Sequence, residues 1–219
     1  MRILVVAATK PEVVPILSRM YSTPTGEAGV DSYTHGAHDV DVVITGVGMV
    51  ATAVRCSHAL ARMEYDLALN VGVCGAFDKT LELGTVVHVV SDRISELGAE
   101  DGTQVLTLEE LELPGQSEFV NPAPPSYPPF DLLPAVSGIT VNTVHGTEAS
   151  IAAIAKRFSP KVESMEGAAF MSACLLHHVA FAQVRAVSNR VEPRNKDAWK
   201  MADAIRNLGV TALRILDHA

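Results

Sequence analysis

The sequence predicts an α/β protein with a mostly parallel central sheet covered by helices on both faces, a three-layer α/β/α arrangement. Three observations carry this. Short unbroken apolar runs rich in β-branched residues recur along the chain, at residues 2–8, 41–45, 67–71, 85–91, 139–144 and 181–187. Runs of this length read as buried strands. Several of them end in glycine or small polar residues, as at Gly46-Val47-Gly48, Gly72-Val73-Cys74-Gly75 and Ser188-Asn189. Between them lie segments with apolar residues at helical spacing.

Taken in order, the strand at 2–8 runs into Thr9, a residue type that caps helices, with Pro11 and Glu12 in the first turn that follows. Val13, Ile16, Leu17 and Met20 then form the inward face. The strand at 41–45 enters Gly46-Val47-Gly48, and a helix is expected from about 50 to 63. The strand at 67–71 stops at Gly72, and Leu83-Gly84 introduces the strand at 85–91. Residues 109–135 break the pattern with seven prolines, Pro114, Pro122, Pro124, Pro125, Pro128, Pro129 and Pro134. A long Pro-rich connection is either a functional loop beside the site or an inert surface excursion, and the sequence weighs these equally. A helix at 149–157, a short strand at 161–164, a helix at 165–177 and a last helix from near Lys196 complete the chain. The whole, residues 1–219, reads as one domain carrying an insertion at about 109–135.

Composition sets limits on function. Twenty-five acidic and 17 basic residues give a net charge of -8 with no basic block. Nucleic-acid binding needs clustered Lys and Arg, so that class is disfavoured. Three cysteines without a CxxC pair argue against a disulfide framework and a zinc site, and they read as buried free thiols. The first apolar run is too short for a signal-peptide core, and no stretch approaches a membrane span, so a cytoplasmic protein is expected. No metal site is expected either, because no His, Cys and carboxylate set has ligand spacing.

Three polar residues follow strands, where ligands collect in parallel α/β sheets: Glu12, Glu166 and Asn189. Glu166 lies between Met165 and the small apolar run Gly167-Ala168-Ala169. A carboxylate there needs donors, since burying an unpaired charge is costly. Two sugar hydroxyls would serve; a helix N-terminus alone would also explain it. Glu12 has the same alternative, as a favourable charge in a helix's first turn.

The segment Met165-Glu166-Gly167-Ala168-Ala169 resembles the signature of the purine nucleoside phosphorylase and nucleosidase superfamily. Thr45-Gly46-Val47-Gly48 resembles that family's first Gly-rich turn. Asn70-Val71-Gly72-Val73-Cys74-Gly75-Ala76, followed by Leu83-Gly84-Thr85-Val86-Val87, resembles the loop beneath the nucleoside and the strand after it. The resemblance implies a nucleoside phosphorylase-like fold, a small-molecule nucleoside substrate, no cofactor and a homo-oligomer. It also implies that Glu166 binds the ribose hydroxyls, that Met165 packs on the ribose, and that Val73, Gly75 and Ser188 line the nucleoside.

A carboxylate at Glu12 resembles the nucleosidase branch, where it orients and deprotonates water. It would repel the phosphate that a phosphorylase must bind. Adenine-directed nucleosidases have Asp where this chain has Asn189. An amide can donate to N7 or O6 but has no acidic proton to give, and it suits a 6-oxopurine. Ser188 to Trp199 resembles the C-terminal signature of the futalosine hydrolase family of menaquinone biosynthesis, which releases hypoxanthine. That resemblance also raises a 5′ benzoate, for which Arg194, Phe119, Tyr127 and Phe130 are candidate contacts. His145 falls in a pocket segment of the superfamily, yet by itself it reads as a structural histidine. The competing readings are an adenine-nucleoside nucleosidase, a purine nucleoside phosphorylase and a non-catalytic nucleoside-binding protein.

Overall fold

A computed structural model describes residues 1–24, 29–102 and 104–219. The chain begins with β1 (Arg2–Ala7), α1 (Lys10–Leu17), β2 (Tyr21–Thr23), β3 (Asp31–His35), β4 (His38–Ile44) and α2 (Met49–Arg62). It continues with β5 (Leu67–Ala76), β6 (Val86–Ile94), β7 (Gly98–Asp101), β8 (Gln104–Thr107), β9 (Glu118–Val120) and β10 (Ala135–Thr140). The last part holds α3 (Glu148–Phe158), β11 (Val162–Ser164), α4 (Gly167–His177), β12 (Phe181–Arg190) and α5 (Met201–His218).

The order across the main sheet is β11-β10-β6-β12-β5-β1-β4-β3-β2, with β9 added on β6. The α/β class expected from the sequence is present, with five α-helices among the described residues, but the sheet is mixed. β1 runs parallel to β4 and β5, β12 parallel to β5, and β10 parallel to β6 and β11. The other pairings, β11–β5, β12–β6, β2–β3, β3–β4 and β6–β9, are antiparallel. The reason lies in the connections. No helix separates β5 from β6, and a parallel return needs a long crossover. The two strands therefore run opposite ways, and β12 lies between them, parallel to one and antiparallel to the other. Because β11 pairs with both β10 and β5, the strands β5, β12, β6, β10 and β11 close into a ring.

The central strands β1, β5 and β12 are buried on both sides, as continuous apolar runs require. On β1 and β5 successive residues alternate between two cores. Leu4, Val6, Ala68 and Cys74 face Cys56 and Leu60 of α2 and Phe170 of α4. Ile3, Val5, Leu67, Leu69 and Val71 face Val13 and Ile16 of α1 and Leu208 and Ile215 of α5. The three cysteines are free and buried. No helix among the described residues is long and apolar enough to cross a membrane.

Several element boundaries differ from expectation: the strand expected at 139–144 runs from Ala135 to Thr140, and that at 181–187 continues to Arg190. The last helix starts at Met201, after a single 3-10 turn at Lys196–Ala198. More important for the site, β5 does not stop at Gly72 but continues to Ala76. The Pro-rich segment lies on β6 and the start of β12, where Asn121 Nδ2 donates to the Phe181 carbonyl at 2.6 Å. Phe119 and Phe130 are core residues there.

Candidate active site

The site is strung along β5, whose extra residues are small for a reason. Gly72 pairs with Arg185 of β12. A Cβ at Gly72 would lie 2.3 Å from Arg185 Nη1 and 3.0 Å from Glu12 Oε1. The bare backbone lets a cation and a carboxylate approach the same point. Gly75, three residues on, pairs with Asn189 of β12 on one side and with Glu163 of β11 on the other. A Cβ there would meet Val191 Cγ2 at 2.9 Å and Asn189 Nδ2 at 3.2 Å. At roughly 3.3 Å per strand residue, the two centres stand about 10 Å apart.

Glu12 is buried at the start of α1. Its Oε2 accepts from the Thr9 amide and the Thr9 hydroxyl, both at 2.8 Å, the half of a capping arrangement that ties the side chain to its helix. Its Oε1 accepts from the Val73 amide at 3.1 Å. Glu12 is thus tied to its own helix through one oxygen and to β5 through the other.

Glu166 caps α4 and is buried. Its Oε1 accepts from the Gly48 amide at 3.0 Å, the glycine having φ +102° at the N-terminus of α2. Its Oε2 lies 3.4 Å from Arg185 Nη1. Arg185 is 1% exposed, and it spends its remaining donors on Gln183 Oε1 at 3.1 Å and Asn70 Oδ1 at 2.5 Å. Gln183 in turn donates to Asp92 at 3.0 Å, and Thr140 donates to Asp92 at 2.8 Å. Burial pushes the Asp92 carboxyl up to about 6. The sequence gives no expectation of this network beneath Glu166.

At the Gly75 end, the Ser188 hydroxyl donates to Asn189 Oδ1 at 2.8 Å, and Asn189 Nδ2 donates to the Arg190 carbonyl at 2.8 Å. Gly75, Asn189, Val191, Arg194 and Trp199 line a cleft of about 350 Å³. Arg194 is exposed and lies over the Trp199 ring at 5.7 Å. Glu163 and His145 form the facing wall of the same cleft. Glu163 is buried, accepts from the His145 amide at 3.1 Å, and is hydrogen-bonded to His145 Nδ1.

The structure therefore brings Glu12, Val73 and Glu166 to one end, and Gly75, Ser188, Asn189 and Arg194 to the other. Met165, half-buried, lies between β11 and Glu166. Phe119 and Phe130 are placed elsewhere, Phe119 on β9 against β6 and Phe130 against His88 of β6, and neither lines this cleft. Tyr127 packs against Phe130 with ring centroids 5.4 Å apart, which places it with them. Sequence reasoning misses Arg185, Gln183, Asn70 and Asp92, though polar residues at positions 183 and 185 of a buried strand share one face and are a legible signal. Among the described residues, no group of three or more His, Cys, Asp or Glu is arranged to hold a metal ion.

A buried carboxylate pair set over a glycine-bearing strand, with an amide-lined cleft beside it, is an arrangement for binding a neutral polar molecule and moving protons on it. The chain belongs to the phosphorylase superfamily, whose family model matches residues 2–219. It is 33% identical to a futalosine hydrolase of Thermus thermophilus over 78% of this chain and 79% of that one. It is 32% identical to a futalosine hydrolase of Acidothermus cellulolyticus over 94% of this chain and 85% of that one. In backbone it is similar to the native structure of a futalosine hydrolase of Helicobacter pylori, with a TM-score of 0.81 at 14% identity, covering 99% and 97% of the two chains.

Proposed function

We propose that this protein hydrolyses the N-glycosidic bond of futalosine, releasing hypoxanthine and dehypoxanthinyl futalosine in menaquinone biosynthesis. The observation that carries the reading is the Glu12 carboxylate, buried at the carboxyl end of β1 with Oε1 turned to the Val73 amide. A phosphorylase would need this space for a phosphate dianion, which a carboxylate repels. Water is the nucleophile that a carboxylate can orient and deprotonate. The futalosine hydrolase relatives at 32–33% identity support the same reading.

In this mechanism, positive charge grows on the ribose and negative charge on the purine as the bond breaks. Glu166 holds the 2′- and 3′-hydroxyls and stabilises the sugar cation, with Arg185 and the Gly48 amide fixing the carboxylate. Asn189 hydrogen-bonds the leaving base with a preorganised donor. Met165, Val73, Gly75 and Ser188 shape the pocket around the nucleoside. Arg194, exposed at the mouth of the cleft, is the cation available to the 5′ benzoate. The protein works as a soluble cytoplasmic homo-oligomer folded as one domain.

The test is base release in phosphate-free buffer from futalosine, aminodeoxyfutalosine and methylthioadenosine. Hypoxanthine from futalosine, with the two adenine nucleosides much slower, is expected. Adenine release as the faster reaction would overturn the assignment of Asn189. A rate that depends on phosphate would overturn that of Glu12. Unchanged KM for futalosine in Arg194→Ala would remove the benzoate contact.

A further inference from the structure

The mechanism above leaves one proton without a source. A departing hypoxanthine needs a proton on its ring, and the amide of Asn189 has none to give at an acidic position. Its Oδ1 already accepts from Ser188 and its Nδ2 already donates to Arg190. The cleft has a second polar wall. Glu163 and Asn189 both pair with Gly75, from opposite neighbouring strands. Directly paired residues share a face, so their side chains flank the bare Gly75 at about two strand spacings, roughly 10 Å. His145 stands on the Glu163 side of that gap and lines the cleft with Asn189.

The histidine is held as a reacting group is held. Its amide and its Nδ1 both bond the buried Glu163 carboxylate, which fixes the ring and places a hydrogen on Nδ1. The Phe77 ring lies edge-on at 6.1 Å and supports one side of it. Among the described residues Nε2 has no hydrogen-bond partner. A buried carboxylate behind Nδ1 orients an imidazole and stabilises positive charge on it, the relationship found in Ser-His-Asp triads.

We propose that His145, positioned by Glu163, is the acid that protonates the leaving purine. The inference rests on the nucleoside hydrolase reading above. The C1′–N9 bond breaks with its electron pair on the purine, and N7 takes the proton from Nε2, leaving a neutral imidazole. Water bonds to C1′ and its proton passes to Glu12. One proton moves through solvent from Glu12 back to His145, so the net change is one water consumed.

The experiment compares futalosine with its N7-methylated derivative, whose permanently cationic base leaves without a proton. In His145→Ala, kcat for futalosine should fall by about 10²–10⁴-fold, the usual contribution of a general acid. Turnover of the methylated substrate should stay within a few-fold of wild type or exceed it. His145→Gln retains a donor without an acidic proton, so it should be as slow on futalosine as His145→Ala. Glu163→Gln should lower kcat for futalosine more than for the methylated substrate and leave KM little changed. Equal loss on both substrates in correctly melting His145→Ala protein would reduce His145 to a structural role and overturn the proposal. Near wild-type turnover of futalosine by His145→Gln would also overturn it. Failure of the wild-type enzyme to cleave futalosine would instead overturn the hydrolase reading, and the two failures are distinct.

Discussion

Arg185 Nη1 lies 3.4 Å from Glu166 Oε2, in a position 1% exposed to solvent. The cation thereby links the carboxylate at the N-terminus of α4 to Asn70 on β5 and Gln183 on β12. Removing one member of a buried ion pair leaves the other charge uncompensated, which costs about 3–5 kcal/mol. Arg185→Met should therefore lower unfolding free energy by about that amount in a urea titration. Arg185→Lys should fall between wild type and Met. A single ammonium cannot span Gln183, Asn70 and Glu166 as the planar guanidinium does.

Glu12 divides its two oxygens between Thr9 of its own helix and the Val73 amide of β5, and Glu12→Gln separates these contacts from the base role proposed for it. The amide oxygen can still accept from Val73 or Thr9, so the fold and KM should change little. Loss of the charge in the first turn of α1 costs less than about 1 kcal/mol. The amide cannot take a proton from water, so kcat should fall by about 10²–10⁴-fold. Steady-state base release with a matched thermal melt measures both quantities. A kcat within threefold of wild type would remove Glu12 as the base.

How much of this is legible in the sequence can be read from the same residues. Glu12, Glu166 and Asn189 stand out because each follows an apolar run, and strand ends are where a parallel arrangement presents side chains. The continuation of β5 is hidden because glycine reads as a turn signal. Gly72 and Gly75 instead stay within the strand and make room for Arg185, Glu12 and Asn189. The mixed sheet is hidden because strand direction depends on crossovers, and no residue in 77–85 marks the absence of one. The partnership of His145 and Glu163 spans 18 residues and two elements. Neither residue's neighbours in the chain announce it. For the Pro-rich segment the sequence weighs site loop and surface excursion equally, and the structure anchors it at separate points, Glu110 on Arg157 of α3 and Asn121 on the Phe181 carbonyl at the start of β12.

Gly75→Ala tests the cleft itself. The added methyl would press on Val191 Cγ2 at 2.9 Å and Asn189 Nδ2 at 3.2 Å. Overpacking of this kind costs about 1–3 kcal/mol. Here one of the neighbours that must give way, Asn189, is the residue assigned to the base. The expected outcome is a KM raised about ten- to a hundredfold, since each 1.4 kcal/mol is a factor of ten in affinity. The far-UV spectrum should not change. A normal KM would mean that the base lies elsewhere.

His88 gives the fold a dependence on acid. It is buried on β6 with Nε2 unpaired among the described residues, its ring 4.9 Å from that of Phe130 in the Pro-rich segment. Burial pushes its pKa down to about 4, against the ordinary histidine value of 6.5 in the unfolded chain. A depressed folded-state pKa means that the unfolded chain takes up the proton first. The stabilisation is complete above 6.5 and is lost as pH falls toward 4, because the unfolded state binds more protons across that window. Each tenfold difference in proton affinity between the two states is worth about 1.4 kcal/mol, so the loss reaches about 3 kcal/mol. His88→Phe keeps a ring against Phe130 and cannot titrate. Its unfolding free energy should therefore decline less steeply than that of wild type between pH 6.5 and 4. Parallel urea titrations of the two proteins across that range would measure the difference. Identical slopes would show that His88 takes up its proton in the folded protein as readily as in the unfolded chain.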